Sequence, residues 1–106
     1  MARYLRHGSD TLAGIQGVLR DGGTSRVKAV ESLVGSLGGS LESMYFAFGK
    51  DDFYVTADLP GNIEAAAIAA TVGAAGGATT STVVLLTADE MDAAVKLHPI
   101  YRAPGA

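Results

Sequence analysis

Along the chain the apolar positions alternate, then recur at helical intervals, then alternate again, and this succession of periods predicts the elements. Residues Ala2 to Gly8 read as a short strand. Ser9, Asp10 and Thr11 follow, all side chains that cap helix N-termini. Leu12, Ile15, Val18 and Leu19 then share a helical face, although Gly14 and Gly17 each weaken a helix by up to about 1 kcal/mol relative to alanine. Gly22-Gly23 interrupts the segment, and Thr24 or Ser25 can cap a restart. In that second segment Val27, Val30, Leu33, Val34 and Leu37 form an apolar stripe, with Lys28, Glu31 and Ser32 off it. Gly38-Gly39 offers the left-handed position that ends a helix.

The period then returns to two. Ser40 to Phe48 reads as a strand, Gly49-Lys50-Asp51 as a short turn, and Asp52 to Leu59 as the return strand of an antiparallel hairpin. Pro60-Gly61-Asn62 breaks the pairing, and Asn62 can cap an alanine-rich helix from Ile63 to about Ala75. Gly76-Gly77 stops it, and Ala78 to Leu86 is a β-branched strand. Thr87-Ala88-Asp89-Glu90 matches a capping box, opening a terminal helix that carries Met91, Ala94 and Val95 and ends at His98-Pro99. The order β-α-β-β-α-β plus a terminal helix predicts one α+β domain over residues 1–106, of the ferredoxin-like split βαβ type.

The strands alternate imperfectly, which bears on assembly. In the second strand Leu41, Tyr45 and Ala47 share one face, while Met44, Phe46 and Phe48 take the other. In the last, Val83 and Leu85 oppose Val84 and Leu86. Two right-handed crossovers put both helices on one side of the sheet. The other side is then left with large apolar groups, the mark of an interface. The pattern therefore predicts a homodimer or higher oligomer, with a second copy closing that face. The competing expectation is a monomer whose terminal helix folds back over it.

Composition narrows the function classes. Net charge is −3, and the eight lysines and arginines are scattered, whereas nucleic-acid binding needs a clustered basic face; no nucleic-acid partner is expected. With no cysteine there is no disulfide or thiolate zinc site. The N-terminal residues lack the apolar run of a secretory signal, and the most apolar stretch, residues 65–78, is broken by glycines and shorter than the roughly 20 residues of a membrane span. No membrane partner is expected, and the location expected is cytoplasmic.

Several runs resemble the GYD-domain family: Asp21-Gly22-Gly23-Thr24-Ser25-Arg26, then Leu37-Gly38-Gly39-Ser40-Leu41-Glu42, then Tyr45-Phe46-Ala47-Phe48-Gly49-Lys50-Asp51-Asp52. Leu85-Leu86-Thr87-Ala88-Asp89-Glu90-Met91 and Tyr101-Arg102-Ala103-Pro104-Gly105 continue the likeness. The resemblance implies a dimeric α/β barrel, two ferredoxin-like sheets packed face to face. It implies little about activity, because that family is largely uncharacterised. The naming motif, Gly-x-Tyr-Asp, stands here as Gly49-Lys50-Asp51-Asp52, so no role of its tyrosine carries over.

Chemistry-bearing residues are sparse. His7, Tyr45 (on a strand expected to be central) and Asp52 are the candidate acid–base groups, the last if burial raised its pKa. Arg26, with Thr24 and Ser25 at a restarted helix N-terminus, is the candidate anion site. Each has a plainer reading: a hydrogen-bonded histidine, a core tyrosine, a solvated hairpin end, a capped helix break. A metal site would need His7 and His98 together with a carboxylate, and neither a metal nor a cofactor is expected. Two functions follow. One is a self-associating binding or assembly module. The other is a cofactor-light enzyme acting on a small, anionic organic molecule in a pocket between sheet and helices. A cavity of roughly 300 Å³ with convergent polar groups would favour the enzyme.

Overall fold

The structure, a computed structural model, describes residues 1–106. The elements are β1 (Ala2–Asp10), α1 (Leu12–Gly35), β2 (Ser40–Phe46), β3 (Phe53–Leu59), α2 (Asn62–Ala75), β4 (Ala78–Leu85) and α3 (Ala88–Val95). The sheet is antiparallel throughout, with strand order β2-β3-β1-β4. This is the α+β architecture with the split βαβ strand order. The sheet is open, and the single chain forms no barrel. β2 lies at an edge, not at the centre as expected, because β3 alone pairs with it.

Both helices cover one face. Val34 of α1 and Ala65 and Ile68 of α2 close over Tyr4, Ala57 and Leu59, and Phe53, Val55 and Ala78 make an adjoining cluster. In β1 the burial alternates, with Tyr4, Arg6 and Gly8 inward, as the period of a half-buried strand requires. α1 packs chiefly on β2 and α2 chiefly on β4, so the helices stand apart over the middle of the sheet.

Three local features differ from the sequence reading. The interruption expected at Gly22-Gly23 is present as a kink in α1 at Gly22, whose φ of 83° suits glycine, but the capped restart is not. Thr24 and Ser25 lie exposed within that helix, and neither caps it. A bulge between Leu41 and Ser43 shifts the pairing of β2 by one residue. Leu41, Met44 and Phe46 therefore pair with Ala57, Val55 and Phe53 on the helix-covered face. Lastly, Asn62 is the first residue of α2 and does not cap it; its side-chain oxygen accepts a 2.6 Å hydrogen bond from the Tyr4 hydroxyl.

The terminal helix covers neither face. α3 opens with the expected capping box, in which the Glu90 amide donates to Thr87 Oγ1 at 3.1 Å and the Thr87 amide to Glu90 Oε1 at 3.0 Å. Every residue from 86 to 106 is nonetheless exposed. The arm stretches the molecule to 57 Å and gives a radius of gyration of 16.8 Å, against about 13 Å for a compact domain of this length.

Candidate functional site

The sheet presents two candidate sites, one on each face. Beneath the helices lies a cavity of about 60 Å³ floored by Arg6, Phe53, Val55, Ala78 and Thr80. It adjoins a groove of about 210 Å³ between α1 and α2, and Arg26, Val30, Leu33 and Val72 line both. The walls are apolar apart from the two arginines, Thr80 and Tyr4. Arg6 is 9% exposed, and its guanidinium donates to Thr82 Oγ1 at 2.9 Å and Thr80 Oγ1 at 2.5 Å. No carboxylate pairs with it, and burial pulls its pKa below the ordinary value.

The outer face carries a transverse row. Tyr45 of β2 faces Tyr54 of β3, which faces His7 of β1, which faces Ser81 of β4. The His7 ring stacks on Tyr54, with centroids 5.9 Å apart and planes at 15°. His7 Nδ1 lies 2.7 Å from Asp51 Oδ2, so a carboxylate from the hairpin orients the imidazole. At the other end of this face Arg3 binds Asp58 through two hydrogen bonds of 2.9 and 3.1 Å and reaches Glu42 at 2.7 Å. The Arg3 guanidinium holds the Asp58 carboxyl below its usual range. Ser43 and Thr56 hydroxyls are hydrogen-bonded between these two groups.

The expected site residues are thus divided. His7 and Tyr45 share the outer face, in one row but separated by Tyr54. The pocket between sheet and helices, where they were expected, does not include them, because β1 points its even-numbered side chains inward. Asp52 turns instead to the end of β1, where its Oδ2 accepts from the Asp10 amide at 2.9 Å. Of the expected anion site, Arg26 lines the cavity while Thr24 and Ser25 face away. No three histidine, aspartate or glutamate side chains come together as a metal site. Arg6 was missed. The signal for Arg6 was present: it interrupts the inward series Tyr4, Arg6, Gly8 with a charge.

The family model for the GYD domain matches residues 4–95, nearly the whole chain. The chain belongs to the GYD-domain family. No curated protein and no solved structure matches it. In this GYD domain the motif position taken by Asp51 is the one that meets His7, so the departure from tyrosine places a carboxylate against the imidazole. No helix of the GYD domain is long and apolar enough to cross a membrane.

Proposed function

We propose that this GYD domain is a self-associating binding or assembly module in which a second copy closes the outer face of the sheet. One observation carries the reading: Tyr45 is 71% exposed on that face, with Tyr54 and Val83 also uncovered, and α3, the one element free to shield them, lies elsewhere. Only 11 of 106 residues are buried, a small core that gains from a partner. Charges on the face are already paired, Arg3 with Asp58 and Glu42 and His7 with Asp51, so two faces can approach without stranding a charge. The exposed arm supports the same reading. An eight-residue helix is marginal in water without packing, and Met91 and Val95 on it are unburied. Two such sheets face to face would make a dimeric α/β barrel.

Sedimentation equilibrium at low micromolar concentration tests this, with a species of twice 10.8 kDa expected. A single 10.8 kDa species would overturn it. Tyr45→Glu and Val83→Glu should shift the protein to monomer with its circular dichroism retained.

The His7–Asp51 contact favours a second reading, acid–base chemistry on a small molecule held against the outer face. Native mass spectrometry of protein from its own host reports stoichiometry and any retained molecule together. If a molecule is retained, His7→Gln should abolish its turnover and leave its binding intact. Equal turnover by both proteins would remove this reading.

A further inference from the structure

We infer that the gap between α1 and α2 is a binding site for a small organic monocarboxylate, whose head pairs with Arg6 and whose apolar body lies along the groove. The site is separate from the proposed pairing face, because it opens on the opposite side of the sheet and is complete within one chain. Its occupancy therefore does not depend on whether the domain dimerises.

The argument begins with an uncompensated charge. A guanidinium carries five N–H donors, and Arg6 uses one to Thr82 and one to Thr80, both neutral hydroxyls. No ion pair reaches it, although the nearby Arg3 holds two carboxylates. Leaving a buried charge without a partner is costly, and proteins normally pair it. No buried side-chain nitrogen in the molecule is sealed off without a partner, so Arg6 Nε, which makes no hydrogen bond, is not sealed, and Arg6 lines the cavity.

The surroundings select the ligand. Arg26 is a second cation on the same cavity, and none of the lining residues is acidic, in a protein whose net charge is −3. A positive field confined to one cleft of an acidic protein attracts an anion there. The planar guanidinium matches a carboxylate through two parallel hydrogen bonds. Val30, Leu33 and Val72 continue from the cavity into the groove, so the rest of the ligand is apolar. The cavity of about 60 Å³ accepts the head, and the groove of about 210 Å³ the body. The packing of the two helices on opposite edges of the sheet is what leaves the groove open.

The probe is 3-phenylpropanoate, with 3-phenylpropan-1-ol as its neutral counterpart and inorganic phosphate as a bare anion. Binding is followed by NMR, reading the Arg6 side-chain Nε–H signal. Saturable binding of the acid that moves this signal is expected, with much weaker binding of the alcohol and of phosphate. Arg6→Met keeps the volume and removes the charge; it should weaken the acid by about tenfold or more, the scale of a lost charge-assisted contact. Arg26→Gln, on the more exposed side, should weaken it less while leaving the fold intact. Equal binding of acid and alcohol, undiminished affinity in Arg6→Met, or an Arg6 signal that stays in place at saturation would each overturn the proposal. Phosphate binding as tightly as the acid would overturn the apolar body. If Arg6→Met fails to fold, the wild-type signal and Arg26→Gln decide.

Discussion

Single residues in this domain carry consequences that composition alone would misjudge. Gly14 looks like a defect in α1, since alanine there would favour the helix by about 1 kcal/mol. Its cost is explained by the first turn, where a Cβ would overlap the Gly77 carbonyl. The same turn is held by Thr11, whose hydroxyl donates to the Gly76 carbonyl at 2.6 Å and whose amide donates to that of Gly77 at 3.1 Å. Gly14→Ala should therefore destabilise, by roughly 1–2 kcal/mol net once overpacking outweighs propensity. A lower urea midpoint at unchanged slope would show it. Asp10 offers a pH-dependent test. Burial first and the Asp52 carboxylate second raise its pKa above the ordinary 3.8, against an opposing pull from Arg26. A raised carboxyl favours the protonated folded state, so its contribution is fully present below the ordinary value and lost as pH rises through the folded one. Asp10→Asn should raise the melting temperature at pH 7, and the gain should vanish on acidification towards 3.8. Asp58 works in the opposite sense, its stabilisation being present above the ordinary value and lost as pH falls through the depressed one.

At the scale of elements, local signals and packing signals separate. The capping box of α3, the left-handed stop at Gly76 and the break at Gly22 are chemistry within a few residues, and all were legible. The bulge in β2 was not. Nothing in the run Leu41-Glu42-Ser43 announces it, because the register of β2 is set by where β3 presents Ala57 and Thr56. Its effect is large: one extra residue moves Leu41 onto the face of Met44 and Phe46 and leaves Tyr45 as the large side chain of β2 on the outer face. α3 is the reverse case, formed by its own cap yet without a surface to rest on. If it docks on a second copy, Thr87→Ala should weaken association by about fivefold, the equivalent of a lost N-cap near 1 kcal/mol. Dissociation constants for the two proteins would measure it, and unchanged association would separate the arm from the interface.

For the whole molecule, an elongated chain with a small core makes stability a question of concentration. A dimer that unfolds to monomers melts higher when it is more concentrated, whereas a monomer does not. The melting temperature of this domain should rise over a hundredfold range of protein concentration, and that rise should disappear in Tyr45→Glu. The sequence by itself determined the element order, the caps at Thr11 and Thr87, the stop at Gly76 and the family, because periodicity and turn chemistry are short-range and repeat within each segment. Tertiary structure alone decided which groups meet. It brought His7 of β1 to Asp51 of the β2–β3 hairpin, 44 positions on in the chain, separated both from the helix-side cavity, and buried Arg6 without a carboxylate. Those outcomes depend on strand order, on register and on which strands the two helices pack against, and these are set by contacts between residues far apart in the chain.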